Sequence, residues 1–407
     1  MIEAGVRNLV EELQAIRAES DRLFGVLNDE ALYERPIRER HRVLFYIGHL
    51  DGFDSIQICR EHLGLKSPDP DLDLLFQAGI DPDSSHLPAD TPADWPSIEQ
   101  VRAYATRCRK HVDASLERAT DEVVALAVEH RQMHLETLAY MFHNFEFDQK
   151  RAGIAPQLED RTDHKPKNEW RDIPAGEAIL GKSYDGSFGW DNEYDLVSRA
   201  VSTFRVQRYK VTNGEYLRFV REGAKLPHFW NRRGDSIFYR GMFQEIPLPL
   251  SWPVYVSLEE AKAYADWRGK DLLTEEQFHR AAFGSPNQEI RRYPWGQEAP
   301  SWEHGNFDSK RWDPEPVDAT PRGASAFRVE QLVGNGWEWT KSVFGALPGF
   351  KPLPSYPGYS ANFFDGAHFV IKGGSPRTAA RLLRSSFRNW FRGDYPYVYA
   401  TFRCVEN

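Results

Sequence analysis

Residues 157–172, QLEDRTDHKPKNEWRD, divide a chain of 407 residues into two parts of different composition. The segment is charged and almost free of aliphatic side chains, which is typical of an exposed linker. Nine of the 13 histidines precede residue 165, whereas 11 of the 12 tryptophans and 22 of the 29 glycines follow it. This change indicates two domains, which the length also favours. We predict a first domain over 1–157, a linker over 158–172 and a second domain over 173–407.

The first part of the chain carries apolar residues at helical spacing. Four such stripes run through 9–27, 40–63, 97–117 and 120–150. Because each stripe can bury one helix face, the pattern predicts an antiparallel four-helix bundle. The segment 64–96 is rich in Pro, Asp and Gly, which predicts a long loop rather than a fifth core helix.

The second part consists of short apolar and aromatic runs interrupted by Gly, Pro, Asn and Asp. Only 213–222 and 258–268 carry a clear helical pattern. The pattern therefore predicts a loop-rich domain, and the whole chain is expected to be of the α+β class.

Charge and hydropathy exclude several classes of protein. Lys plus Arg total 51 against 60 Asp plus Glu, a net charge of −9, which argues against nucleic-acid or anionic-membrane partners. The first 20 residues are amphipathic and acidic, and no apolar run approaches the roughly 18 residues of a membrane-spanning helix. The three cysteines are odd in number and widely spaced. We therefore expect a reduced, cytoplasmic setting.

The strongest chemical signal is HRQMHLE at 130–136, within the fourth predicted helix. Residues four apart share a helix face, so His130 and His134 can direct two imidazoles at one ion. Glu136 lies about 200° around the helix axis from His134, which suits a supporting role better than a third ligand. The third ligand is therefore expected from another helix.

His49 is the best candidate for that third ligand. It lies in mid-helix among apolar residues, where an unpaired imidazole would be costly, and Gly48 beside it permits close packing. His41 and His143 remain alternatives. Three neutral imidazoles leave coordination positions open and suit Fe(II) or Zn(II) better than Mg(II) or Ca(II).

Both parts resemble known families. The first resembles a DinB-type four-helix bundle, whose metal triad ends in HxxxHxE. The second resembles the formylglycine-generating-enzyme (sulfatase-modifying) fold, a C-type-lectin-like domain. That resemblance rests on an ordered series of motifs: FGWDNE (188–193), YKVTNGEY (209–216), PVYVS (253–257), GKDLLTEEQF (269–278), YPWG (293–296), GNGWEWT (334–340), KGGS (372–375) and FRNW (387–390). We expect most of these residues to hold the fold rather than to contact substrate.

The combination resembles the ergothioneine-biosynthesis sulfoxide synthases, non-haem iron enzymes that use O2 to join a sulfur donor to the imidazole of hercynine. Selenoneine synthases share this architecture. The resemblance implies that Fe(II) is bound by His49, His130 and His134. It also implies a hercynine site at FRNW, where an aromatic face suits a trimethylammonium group. The candidate substrate-binding residues are Gln132, Arg388, Asn389, Trp390 and Phe391.

The chain departs from the family pattern in ways that bear on the donor. A formylglycine-generating oxidase needs two cysteines in this domain, and only Cys404 is present. In synthases that use γ-glutamylcysteine, the Arg-Asn-Trp of this motif is followed by an Asp and, five residues after the Trp, by an Arg that binds donor carboxylates; the matching positions here are Phe391 and Tyr395. The segment 64–96 contains no Arg, and the stretches 75–82 and 92–97 resemble the selenoneine-synthase branch.

These departures lead to the hypothesis of an O2-dependent iron enzyme that forms a C–Se bond between a selenosugar and hercynine. The family's tyrosine acid falls at Leu347, so Tyr356, Tyr395 and Tyr397 become the candidate proton donors. One alternative is an ergothioneine-type synthase that forms a C–S bond with a thiol donor. Another, from a different class, is a DinB thiol transferase or a non-catalytic binding module.

Overall fold

The computed structural model describes residues 2–77, 87–151 and 165–407, with side chains from residue 8 onward. The chain forms two compact units, Met1–Pro156 and Gln157–Asn407. Most of the stretch 75–82 that resembles the selenoneine-synthase branch, and much of the predicted linker, lie outside the described residues.

The first unit is helical. Its helices are α1 (Ile2–Phe24), α2 (Val43–Asp54), α3 (Pro70–Phe76), α4 (Ile98–Asp113) and α5 (Asp121–His143), and α2 continues as a π-helix over Ser55–His62. Helix α1 packs against α5, and α2 packs against α4 and α5. The four long helices confirm the predicted bundle.

Helix α3 differs from the prediction, because it lies inside the segment 64–96 that we expected to be a loop. It has seven residues. The side chain of Asp69 accepts a hydrogen bond from the backbone N–H of Leu72 at 3.3 Å, and Pro70 occupies the first helical turn. A capping aspartate and an early proline can start a helix too short to show a periodic stripe.

Apolar side chains from α1, α4, α5, the π-helical segment and the turn between α4 and α5 form one core of the first unit: Leu13, Ile58, Cys59, Val112, Leu116, Val124, Ala127 and Val128. Helix α2 is buried along almost its whole length and includes the buried polar residues His49, Asp51 and Asp54.

The second unit contains helices α6 (Asn213–Arg221), α7 (Leu258–Trp267) and α8 (Glu275–Phe283). The first two confirm the predicted helices, whereas α8 was not predicted. Each begins with a reciprocal capping box: Thr212 with Glu215, Ser257 with Glu260 and Thr274 with Gln277. Such caps satisfy backbone N–H groups of the first turn and stabilise short helices.

Thirteen short strands complete the described part of the second unit: β1 (Trp170–Ile173), β2 (Gly176–Leu180), β3 (Val197–Val201), β4 (Phe204–Gln207), β5 (Trp230–Arg233), β6 (Ser236–Arg240), β7 (Glu245–Pro247), β8 (Asp271–Leu272), β9 (Trp337–Val343), β10 (His368–Lys372), β11 (Asn389–Arg392), β12 (Ala400–Thr401) and β13 (Cys404–Glu406). Residues 170–172, which we assigned to the linker, belong to β1 because they pair with β4.

The strands form sheets of order β1-β4-β13-β8, β11-β10-β9-β12 and β5-β6-β7, together with the hairpin β2-β3. In the second sheet, β10 pairs antiparallel with both β9 and β11. The FRNW motif therefore lies at the edge of a sheet whose centre includes the GNGWEWT motif.

The polar side chains of the GNGWEWT motif are bound within the second unit. Asn335 is buried with a φ of 59°, and its amide donates hydrogen bonds of 2.8 Å to the backbone oxygen of Glu315 and to Oε1 of Gln331. Glu338 forms a fully buried ion pair with Arg403. These contacts use the polar groups of the motif inside the fold.

Candidate metal centre

Three histidines of the first unit converge on one point. His49 comes from α2, and His130 and His134 come from adjacent turns of α5. One ring nitrogen of each lies within 4.8 Å of the others. The Nε2 atoms of His130 and His134 are 3.1 Å apart. Two ligands at right angles on a metal with bonds of about 2.1 Å lie about 3.0 Å apart, so this spacing suits two ligands of one ion.

A hydrogen bond to a residue outside α2 and α5 fixes the orientation of the His49 ring. Its Nδ1–H donates to the backbone oxygen of Phe76, at the end of α3, across 2.6 Å. The proton on Nδ1 leaves the lone pair on Nε2, a buried atom that has no hydrogen-bond partner among the described residues. A backbone acceptor of this kind is the usual way to fix the tautomer of a metal-binding histidine.

Gly48 makes this arrangement possible. A Cβ atom at position 48 would lie 2.6 Å from ring atoms of Phe76. The absence of a side chain therefore lets α3 approach α2 closely enough for the hydrogen bond to His49. The sequence indicated that Gly48 permits close packing, but it gave no signal for the role of Phe76.

The histidines are neutral in the folded protein. Burial lowers the pKa of His49 from its ordinary 6.5 to about 4. Burial, and then the neighbouring histidines, lower the pKa of His130 well below 6.5, and burial and His49 do the same for His134. Neutral imidazole is the form that binds a metal. The donor set therefore fits a divalent transition metal.

Aromatic rings surround the three imidazoles. Phe53 stacks on His130 with ring centroids 3.5 Å apart, and Phe45 stacks on His49 at 5.0 Å. Tyr46 lies against His134 at 5.8 Å. This wall excludes water from one side of the group and restricts the rings to the converging orientation.

The other candidates of the first unit lie outside the group. His41 stacks on Phe45 at 4.1 Å, and neither it nor the buried His143 joins the three histidines. Glu136 is buried and also lies outside the group. Gln132 is about 200° around α5 from His130. Its amide donates to Glu12 of α1 at 3.4 Å, so the structure does not bring it to the histidines.

Arg388 of the second unit is committed to the fold. Its Nε and Nη2 atoms lie 2.9 and 3.0 Å from the two carboxylate oxygens of Glu275, and Nη1 donates to the backbone oxygen of Gly345 at 2.8 Å. Burial alone would raise the pKa of Glu275, but the charge of Arg388 holds that pKa below its ordinary value. The ion pair connects the residue before β11 to the first residue of α8, and it uses the hydrogen-bond donors of the guanidinium.

Asn389 and Trp390 are half-buried residues at the start of β11. The side-chain oxygen of Asn389 accepts the backbone N–H of Trp390 at 2.9 Å, so its amide nitrogen points elsewhere. Trp390 stacks on Phe344 with centroids 4.2 Å apart and contacts Tyr359 edge-on at 5.4 Å. Aromatic faces are therefore concentrated at this motif.

The positions that depart from the family pattern form a second aromatic group. Phe391 stacks on Tyr395 at 5.4 Å with ring planes 15° apart, and Tyr395 contacts Tyr397 edge-on at 5.1 Å. Tyr356 lies elsewhere, against Tyr359 at 5.9 Å. The structure thus places Tyr395 and Tyr397 together and Tyr356 in the group around Trp390.

The cysteines do not supply the pair that a formylglycine-generating oxidase needs in the second domain. Cys59, Cys108 and Cys404 are all buried and free. Burial raises the pKa of the Cys404 thiol to about 12, which keeps it protonated and unreactive.

Comparisons with known proteins match both units. Residues 157–407 match the sulfatase-modifying factor enzyme 1-like domain, and residues 12–148 match the DinB superfamily. Hercynine oxygenase of Mycolicibacterium thermoresistibile is 33% identical over 368 residues, which cover 81% of this chain and 78% of that protein. Ergothioneine biosynthesis protein 1 is 27% identical in Neurospora crassa and 28% in Schizosaccharomyces pombe, each over 94% of this chain.

The chain belongs to the ergothioneine-type sulfoxide synthase superfamily, in which a DinB-type bundle precedes a formylglycine-generating-enzyme-like domain. It spans 56% and 54% of the length of the two fungal relatives. No helix within the described ranges has an apolar stretch long enough to span a bilayer.

Proposed function

We propose that the protein is an O2-dependent, mononuclear non-haem iron oxidoreductase that joins a sulfur donor to the imidazole of hercynine. The observation that carries this proposal is the convergence of His49, His130 and His134, a set of three neutral nitrogen donors that leaves coordination positions for substrates. The relatives named hercynine oxygenase and ergothioneine biosynthesis protein 1 support hercynine as the acceptor.

The three histidines would hold Fe(II) through ring nitrogens that the fold already directs at one another. When bound, Fe(II) supplies O2 activation and open positions that bring donor and acceptor side by side. His49 keeps its Nδ1 proton on the oxygen of Phe76, which holds its ring in the ligand orientation. Phe45 and Phe53 keep water from the buried faces of the imidazoles.

Hercynine carries a trimethylammonium group and a carboxylate. We assign the cation to the aromatic group around Trp390, because quaternary ammonium ions bind on aromatic faces. We assign the carboxylate to the amide nitrogen of Asn389, whose oxygen is already used by the backbone. Arg388 is assigned to holding β11, since Glu275 occupies its guanidinium. Tyr356, Tyr395 and Tyr397 are the phenols proposed to move a proton.

A selenosugar is the second candidate donor, and the Phe391–Tyr395 stack favours it. Aromatic faces bind sugars, whereas a γ-glutamylcysteine carboxylate at these positions would lose water without gaining a cation. Leaving such a charge unpaired costs on the order of several kcal/mol. With that donor the same centre would form a C–Se bond between the selenosugar and hercynine.

The test is reconstitution with Fe(II) under anaerobic conditions, followed by hercynine and equal amounts of cysteine, γ-glutamylcysteine, a thiosugar and a selenosugar. After O2 is admitted, mass spectrometry identifies the products. We expect an adduct of hercynine with at least one donor that requires both Fe(II) and O2. The dominant adduct decides between sulfur and selenium. Unchanged hercynine with every donor would contradict the proposal.

A further inference from the structure

We propose that Arg131 is a positioning residue for the metal centre: its guanidinium joins α2 to α5 and so holds His49 within reach of His130 and His134. The inference rests on the proposed metal centre and adds a residue that does not contact the ion. It gives a role to Arg131, the second residue of the HRQMHLE motif.

The contact links the two ligand helices directly. Arg131 is fully buried, and its Nη2 atom lies 2.7 Å from Oδ1 of Asp51 and 2.6 Å from Oδ2 of Asp54. Both carboxylates are on α2, two and five residues after His49. Arg131 itself follows His130 on α5. Each side of the ion pair is therefore close in sequence to a proposed metal ligand.

A second contact fixes the same register. Phe53, the neighbour of Asp54, stacks on His130, the neighbour of Arg131, with centroids 3.5 Å apart and planes 10° apart. Two adjacent residues of α2 thus contact two adjacent residues of α5. Such a double contact restricts both the rotation of α2 and its position along α5.

The two carboxylates are also held from other helices. Asp51 accepts a hydrogen bond from Arg109 of α4 at 2.8 Å, and Arg17 of α1 lies 3.6 Å from Asp54. Arg131 therefore binds acceptors that are already anchored. The guanidinium of Arg131 contacts both carboxylates through Nη2 and Ser20 of α1 through Nη1 at 3.1 Å, whereas the single nitrogen of a lysine cannot hold both sets of partners in one fixed plane.

Arg131→Lys tests the inference, with Arg17→Lys as its matched control. Arg17 is also buried and faces Asp54, but α1 carries no ligand. Asp51→Asn, which breaks the same bridge from α2, is a second test variant. Each full-length apoprotein is titrated with Co(II) alone, and visible absorption bands report coordination geometry. Thermal midpoints of the apoproteins measure the loss of stability separately.

We expect Arg131→Lys and Asp51→Asn to weaken Co(II) binding by about tenfold or more and to alter the absorption bands, as loss of an outer partner does in other metal sites. Arg17→Lys should retain the wild-type affinity and bands at a comparable loss of thermal stability. Wild-type affinity and bands in both test variants, or an equal loss in Arg17→Lys, would overturn the inference. A wild-type protein that binds no Co(II) would overturn the metal centre itself.

Discussion

The Nδ1 atom of His49 lies 2.6 Å from the backbone oxygen of Phe76. The contact joins a ligand on a long helix to the last residue of the short helix α3, and it selects the nitrogen that faces the other two histidines. The segment 64–96, which we predicted to be a loop, therefore contributes to the geometry of the metal centre.

Gly48→Ala tests this relationship. The added Cβ would meet the Phe76 ring at 2.6 Å, so α3 must move and the hydrogen bond to His49 must weaken. We expect a loss of about 1–3 kcal/mol in unfolding free energy, typical of overpacking, and weaker Fe(II) binding. Denaturant unfolding and metal titration measure the two effects. Adding Phe76→Leu should recover part of both; no effect of Gly48→Ala alone would contradict the geometry.

Removal of one ligand should strongly weaken metal binding. His49→Ala, His130→Ala and His134→Ala are each expected to weaken Fe(II) binding by at least about 100-fold, more than typical outer-partner losses, with helical content retained. Chelator competition gives the affinity and circular dichroism the helical content. His41→Ala is the control, because His41 lies outside the group. A metal-free His41→Ala protein with a metal-loaded His49→Ala protein would identify a different third ligand.

Arg388 should matter for stability rather than for substrate affinity. Arg388→Met leaves the buried Glu275 carboxylate without its bidentate partner, and we expect a loss of about 3–5 kcal/mol. Calorimetric unfolding measures this loss. The double variant Arg388→Met/Glu275→Leu removes both charges and should recover much of it. A stable Arg388→Met protein with a raised KM for hercynine would return Arg388 to the substrate site.

Trp390→Ala should weaken hercynine binding. The substitution removes an aromatic face from the group that includes Phe344 and Tyr359, and a cation–π contact of about 0.5–2 kcal/mol corresponds to a loss of a few-fold to about thirtyfold. Asn389→Ala should also weaken it. Calorimetric titration of each variant with hercynine and with histidine shows how much of the affinity depends on the trimethylammonium group. Trp390→Phe, which keeps an aromatic face, should lose less affinity. Equal affinity for histidine and hercynine in the wild type would refute the assignment of the trimethylammonium group to the aromatic group around Trp390.

The donor prediction rests on the stack of Phe391 and Tyr395. The variant Phe391→Asp/Tyr395→Arg installs the charged pair of γ-glutamylcysteine users, so it should raise kcat/KM for that peptide and lower it for a sugar donor. Steady-state kinetics with both donors provides the measurement. Phe391→Leu/Tyr395→Leu, without charge, should lower activity with the sugar and not improve it with the peptide. Faster wild-type turnover of γ-glutamylcysteine than of any sugar would favour the thiol donor.

Local patterns predicted much of this molecule. The long helices follow from apolar spacing, and the facing of His130 and His134 follows from a separation of four residues. The spacing also places Gln132 on the far side of α5 from His130, because the two residues are two positions apart. Helix α8 carried a capping-box signal at Thr274 that a search for long stripes overlooks.

Contacts between residues far apart in the sequence could not be predicted from the sequence. The carbonyl oxygen that orients His49 belongs to Phe76, and any residue type offers such an oxygen, so composition and spacing carry no trace of it. The pairing of Arg388 with Glu275 spans 113 positions, and an arginine in a substrate-site motif gives no sign of whether a carboxylate of the fold already occupies it. The resemblance identified the motif, but the contact between Arg388 and Glu275 became visible only in the fold.

The most direct test of the central claim is the amount of hercynine adduct formed per bound Fe(II) when the anaerobic complex of protein, Fe(II), hercynine and donor is exposed to O2. We predict adduct in the wild type and in His41→Ala only after O2 is admitted, and no adduct in His134→Ala at any time. Forming a C–S bond from a C–H group and a thiol removes two electrons, so adduct formed before O2 enters would contradict O2 as the oxidant. Undiminished adduct in His134→Ala would show that the three-histidine group is not the site of the reaction.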